Sequence, residues 1–141
     1  MGKTCRTGHA VYRLHYHFVW IPKYRVKVLK GAIAERAKEI FQETATHYEF
    51  EMDTLEVMAD HVHLFLSAPP RYAPARIANI LKSISAKKLF EEFPQIRKVL
   101  WHSKLWADGY YVGSSGDEVT ADMIRRYIHY QQVQQKQLRL F

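Results

Sequence analysis

A single cysteine, Cys5, rules out an internal disulfide and a cysteine cage for a metal ion, and it suits a reducing compartment. No stretch approaches the roughly 20 apolar residues of a membrane span, so no membrane partner is expected. The N-terminus lacks an apolar signal region, which argues against export. Low-complexity tracts, internal repeats and dividing linkers are also missing, and 141 residues fit one domain. The composition is not that of a disordered chain, since 48% of the residues are hydrophobic.

Acidic residues are absent from positions 1–34, which carry Lys3, Arg6, Arg13, Lys23, Arg25, Lys27 and Lys30. Residues 35–60 reverse this, with eight acids against Arg36 and Lys38. Residues 71–104 return to eight basic residues against Glu91 and Glu92. The formal charge is +7 and the pI about 9.5. Basic blocks interleaved with aromatics suit a polyanion, because each phosphate neutralised releases counterions.

The hydrophobic pattern gives the order of elements. Residues 11–21 alternate, with Tyr12, Leu14, Tyr16, Phe18 and Trp20 on one face and Arg13, His15 and His17 on the other. That predicts a strand ended by Pro22. Gly31 precedes a helical stripe of Ile33, Ala37, Ile40, Phe41 and Thr44, running to about His47. Residues 49–58 read as a second strand, with a bulge expected where the alternation slips near Thr54 and Leu55. Ala59-Asp60 turns into a third strand, 61–68, stopped by Pro69-Pro70. A second helix is expected from about Pro74 to Phe93, striped by Ile77, Ile80, Leu81, Ile84 and Leu89. A loop with Trp101 and Trp106 leads to a short strand near 109–114. Asp117 is the expected N-cap of a last helix over about 118–136. The fold class is therefore α+β: a ferredoxin-like β-α-β-β-α-β antiparallel sheet plus a C-terminal helix. That fold hosts many functions and settles no activity.

Candidate chemistry lies in His61-Val62-His63-Leu64-Phe65-Leu66. Alternation puts Val62, Leu64 and Leu66 on one face and His61, His63 and Phe65 on the other. The two histidine Cα atoms then lie roughly 6–7 Å apart, close enough for both rings to reach one divalent cation. His15-Tyr16-His17 has the same spacing, and spacing alone does not choose between the pairs. The first and third strands of such a sheet are neighbours, so His15 or His17 would lie near the other pair as a supporting or phosphate contact. In the last helix Tyr127 and Gln131 are four apart and share a face. A phenol oxygen is a nucleophile for phosphorus, and an amide carbonyl is a metal ligand.

The joint pattern resembles the single-tyrosine HUH transposases of the smallest insertion sequences. The likeness rests on Tyr-His-Phe-Val-Trp-Ile-Pro-Lys-Tyr-Arg at 16–25 and Val57-Met58-Ala59-Asp60-His61-Val62-His63-Leu64. It continues through Leu105-Trp106, Gly109-Tyr110 and Arg126-Tyr127-Ile128 with Gln131. It covers about residues 11–135, and the whole of 1–141 reads as one catalytic domain of that kind. The resemblance implies His61, His63 and Gln131 as ligands of Mg²⁺ or Mn²⁺, and Tyr127, on the C-terminal helix, as nucleophile. It implies covalent 5′-phosphotyrosine chemistry on single-stranded DNA with hairpin ends, with no nucleotide cofactor. It also implies a homodimer with sheets joined edge to edge, and a cytoplasmic protein associated with the nucleoid when bound to DNA. Candidate DNA contacts are Lys23, Arg25, Lys82, Lys87 and Lys88, with Tyr24 as a stacking platform.

Three other readings stand beside it. One is the related REP-associated tyrosine transposases, which act on chromosomal hairpins. Another is a non-catalytic ferredoxin-like module stacking bases on Tyr12, Tyr16 and Phe18. The last is a metal-dependent phosphodiesterase that uses water and traps no adduct.

Overall fold

The computed structural model describes residues 5–6, 11–12, 14–114 and 122–130. The elements in order are β1 (Cys5–Arg6), β2 (Val11–Tyr12), β3 (His15–Trp20), a 3-10 turn (Lys23–Arg25), α1 (Gly31–His47), β4 (Glu51–Met58), β5 (His61–Ser67), α2 (Pro74–Glu92), α3 (Ile96–Val99) and β6 (Tyr111–Ser114). Residues 122–130 form a further helix, α4. Asp117 and the remainder of the expected 118–136 helix lie outside the described residues.

The main sheet is antiparallel and ordered β4-β5-β3-β6. Counted along the chain, its four strands lie 2-3-1-4, the order of the split β-α-β fold. The expected 11–21 strand is divided. Val11–Tyr12 pairs with Cys5–Arg6 in a separate two-stranded sheet, and only His15–Trp20 enters the main one. The sequence also gave no sign of α3, four residues inside what reads as loop.

Tyr16, Phe18 and Trp20 pair with Leu66, Leu64 and Val62, and these side chains turn toward α1 and α2. Helix α1 contributes Ala37, Ile40 and Phe41, and α2 contributes Ile77, Ala78 and Leu81, to the same buried cluster. Each fully buried large apolar side chain contributes about 1.5–3 kcal/mol, so this layer dominates the stability. Trp20 meets Phe41 and Trp106 edge-on, with ring centroids 5.8 and 6.0 Å apart. Two buried hydroxyls in this layer find partners: Thr44 donates to the Ile40 carbonyl at 2.7 Å, and Ser85 accepts from the Trp106 indole at 2.9 Å.

The pairing of β4 with β5 slips between Met52 and Thr54. One extra residue, Asp53, lets both Met52 and Leu55 pair with core residues Leu66 and Leu64, although they are three apart. The bulge therefore keeps an imperfect alternation compatible with one buried face. No helix among the described residues is long and apolar enough to cross a membrane.

Candidate active site

The two-residue Ala59-Asp60 turn fixes the hairpin register, so Met58 faces His61, Val57 faces Val62 and Glu56 faces His63. Val62 and Leu64 point into the helical layer and are fully buried, which sends His61 and His63 to the second face of the sheet. On β3 the same alternation sends His15 and His17 there, and β3 lies directly beside β5. Both histidine pairs thus meet on one surface, and contacts separate their roles.

His61 Nδ1 lies 3.0 Å from Asp60 Oδ1, and Asp60 Oδ2 accepts from Arg25 Nε at 2.8 Å. Asp60 is held below the usual carboxylate range by these two partners, against the opposing effect of its burial. His63 Nδ1 lies 3.6 Å from Glu56 Oε2. Burial holds the His63 imidazole below its usual pKa despite the attraction of Glu56. Its Nε2 lies 3.2 Å from His17 Nδ1, and the His17 ring stacks on Phe65 at 4.2 Å. With carboxylates beside both Nδ1 atoms, the favoured tautomers carry the proton on Nδ1 and leave a lone pair on Nε2. His63 Nε2 faces His17 Nδ1, and the tautomers of the two rings decide which of them donates.

His15 is nearly fully buried, with Nε2 3.6 Å from Asp53 Oδ2 and Nδ1 without a hydrogen-bond partner among the described residues. It belongs to the bulge rather than to the Asp60–His61 end. A histidine that binds a metal normally donates its other ring N–H to a carboxylate; His61 has that arrangement with Asp60, and Glu56 lies 3.6 Å from the same atom of His63. The donor set therefore fits a divalent cation. Among the described residues no group of three His, Cys, Asp or Glu side chains is placed to hold one. Gln131, the amide expected from the sequence, lies outside the described residues.

Tyr127 lies in α4, which docks through Ile128 onto Ile21 and Ala107. Its hydroxyl is buried with no hydrogen-bond partner among the described residues, and burial pushes its pKa well above the ordinary 10. In this setting the phenol is held neutral.

The expected DNA contacts are scattered. Lys23, Tyr24 and Arg25 form the 3-10 turn after β3, with Tyr24 edge-on to Trp101 at 5.4 Å and the Lys23 ammonium 5.4 Å from the Tyr24 ring. Lys82 is half-buried. Its Nζ donates at 2.9 Å to the carbonyls of both Ala107 and Gly109, and burial lowers its pKa to about 8. It fastens α2 to the loop on which α4 docks. Lys87 and Lys88 line a groove of about 580 Å³ with Glu43, Thr44 and Tyr48, and Lys88 lies 3.7 Å from Glu43. That groove is in the helical layer, away from the histidine face. His17 lies beside His63, as expected for one of the first-strand histidines, whereas Asp60 and Glu56 were missed in the sequence. The signal for the two acids was there: an acid before the first histidine, and Glu56 opposite His63 once the turn is taken as two residues.

The family model described as "Transposase IS200 like" matches residues 10–131. The ISDra2 transposase TnpA of Deinococcus radiodurans is 40% identical over 121 residues, covering 86% of each chain. The transposase for insertion sequence element IS200 of Salmonella typhimurium is 28% identical over 131 residues, covering 93% of this chain and 85% of that one. Among solved structures, a D. radiodurans chain described as a candidate transposase superposes with a TM-score of 0.81 at 36% identity, covering 90% and 97%. A REP-associated tyrosine transposase bound to a REP hairpin has a TM-score of 0.51 at 13% identity, covering 89% and 68%, a likeness of fold alone.

Proposed function

The chain belongs to the IS200-like transposase family, and from that premise we propose that it cleaves and rejoins single-stranded DNA through a covalent tyrosine intermediate. The observation that carries the proposal is the pair His61 and His63, presented together on one sheet face with a carboxylate beside each Nδ1. That arrangement readies two neutral imidazoles for a cation, with Gln131 as the third ligand. When bound there, Mg²⁺ or Mn²⁺ would withdraw electrons from a scissile phosphate and offset developing charge, and neutral ligands would leave its charge available for that.

Tyr127 is the nucleophile in this reading. Its oxygen forms a bond to phosphorus while the phosphorus–O3′ bond breaks, and the leaving 3′ oxygen takes a proton. The products are a 5′-phosphotyrosine and a free 3′-OH. Another 3′-OH reverses the step and releases the tyrosine, so strands are joined without a nucleotide cofactor. The phenol must first lose its proton, and its pKa is raised by burial. Attack therefore requires α4 to bring the hydroxyl to the phosphate and to a proton acceptor. In a homodimer joined edge to edge, that helix would serve either its own subunit or the other.

The expected substrate is a single strand beside a hairpin, which leaves the backbone accessible. Lys23, Arg25 and Tyr24, on the turn after β3, are the candidate contacts closest to the histidine face. A reading in which the sheet stacks bases on Tyr16 and Phe18 is disfavoured, because both side chains pack into the helical layer. The test is to incubate the protein with labelled single-stranded DNA and Mn²⁺, denature, and look for a DNA-linked protein band. Free cleaved ends with no such band would favour a water-using phosphodiesterase.

A further inference from the structure

Arg25 stands in the sequence as one more basic residue of a polyanion-binding block. Its side chain does something more specific. Nε donates to Asp60 Oδ2 at 2.8 Å, and the other oxygen of the same carboxylate lies 3.0 Å from His61 Nδ1. Both oxygens of Asp60 are engaged, so the carboxylate is fixed in rotation. The side chains involved are about one-sixth exposed at Asp60 and His61 and one-third exposed at Arg25.

The backbone beneath Arg25 is a second, independent observation. Tyr24 and Arg25 have φ of 58° and 54°. Two consecutive left-handed residues without glycine are uncommon, and such strain persists where the surroundings over-determine it. Here the turn is pinned at both ends. The Arg25 amide donates to the Pro22 carbonyl at 2.8 Å, and the Lys23 amide donates to the Leu105 carbonyl at 2.7 Å. The turn brings the guanidinium across from the end of β3 to the β4–β5 hairpin tip, 35 residues away in sequence.

We propose that Arg25 is a positioning residue for His61: it clamps Asp60, and Asp60 in turn fixes the His61 ring and its Nδ1–H tautomer, aiming Nε2 at the cation. The inference rests on the reading of His61 as a metal ligand. It separates Arg25 from Lys23, whose ammonium is paired with no carboxylate among the described residues, and gives the Tyr24–Arg25 strain a purpose. Arg25 acts through Asp60, so it contributes before any DNA arrives.

The test measures Mn²⁺ binding to the full chain without DNA, alongside the ¹⁵N chemical shifts of the His61 ring at neutral pH. Wild type is expected to show His61 protonated on Nδ1. Asp60→Ala should weaken Mn²⁺ binding by about 10–100-fold, the usual consequence of losing a carboxylate behind a ligating histidine. Arg25→Gln should weaken it several-fold and mix the two His61 tautomers. Arg25→Lys keeps the charge and tests the pair if the glutamine variant folds poorly, and it should fall between the two. Unchanged Mn²⁺ affinity and an unchanged tautomer in Arg25→Gln, with only DNA affinity reduced, would overturn the proposal and leave Arg25 a phosphate contact. A wild-type protein that binds no Mn²⁺ at all, with or without a single-stranded oligonucleotide, would instead overturn the metal reading on which it rests.

Discussion

His61 is hydrogen-bonded at Nδ1 to Asp60 and His63 lies 3.6 Å from Glu56 there; of the two, only His63 meets another imidazole at Nε2 among the described residues. Strand alternation made both legible in the sequence as neighbours on one face. It did not distinguish them from His15 and His17, because two-residue periodicity treats every His-x-His alike. Position and burial do that: the Asp60 hydrogen bond lies at the hairpin end with His61, whereas His15 is buried beside Asp53 at the bulge. Protonation gives a direct check. Burial lowers the His63 pKa, so between that value and the unfolded value of about 6.5 the unfolded chain binds more protons. Stability should therefore fall as pH drops below about 6.5. Urea midpoints measured with chelator present should show this fall in wild type and a shallower one in His63→Asn. Equal slopes in the two proteins would contradict the assignment. With metal restored, His61→Ala and His63→Ala should each lose Mn²⁺-dependent cleavage, and excess chelator should do the same to wild type.

At the level of elements, helix α4 is the part whose attachment would control the proposed chemistry. Ile128 is its buried anchor, packed with Ile21 and Ala107, and Tyr127 is buried beside it. Ile128→Ala should loosen the helix without unfolding the sheet. Its amides should exchange faster, and the Tyr127 hydroxyl should titrate closer to 10 as water reaches it. Unaltered exchange over 122–130 would show that the anchor lies elsewhere. The platform under α4 depends on Lys82, which ties α2 to the carbonyls of Ala107 and Gly109. Its folded pKa of about 8 is below the unfolded value near 10.4, so stability should rise between pH 8 and 10 as the desolvated charge is released. Lys82→Met should remove that rise, as read from urea midpoints across the window. Tyr127 works oppositely above about pH 10, where its buried phenol keeps a proton that the unfolded chain gives up. The bounds of α1 and α2 were readable because their apolar stripes are regular. Lys82 was not, because a lysine off the stripe looks the same in sequence whether it meets solvent or two backbone carbonyls. Helix α3 escaped for a related reason: four residues are too few to show a period.

For the whole molecule, the +7 charge and the family together specify a DNA-acting protein, while the sheet decides where the chemistry sits. The helical layer takes one face for the core, so the histidines are left the other. The order β4-β5-β3-β6 was legible from the succession of elements, since short connections and antiparallel hairpins permit few alternatives. The site was only partly legible, because its supporting contacts join residues tens of positions apart, as Arg25 and Asp60 do. If basic side chains hold the strand, log affinity for a single-stranded oligonucleotide should fall linearly with log salt, by about 0.7 for each phosphate neutralised. A flat salt response would deny the basic blocks that role.

The most direct measurement is the covalent adduct itself. Wild type and Tyr127→Phe would be incubated with 5′-labelled and 3′-labelled single-stranded DNA in Mn²⁺, then denatured and resolved by mass. Wild type should carry the fragment downstream of the break on a peptide containing Tyr127 and release a 3′-OH end. Tyr127→Phe should bind the same DNA with nearly unchanged affinity and form no adduct. An adduct that persists in Tyr127→Phe, or that maps to another residue in wild type, would contradict the account.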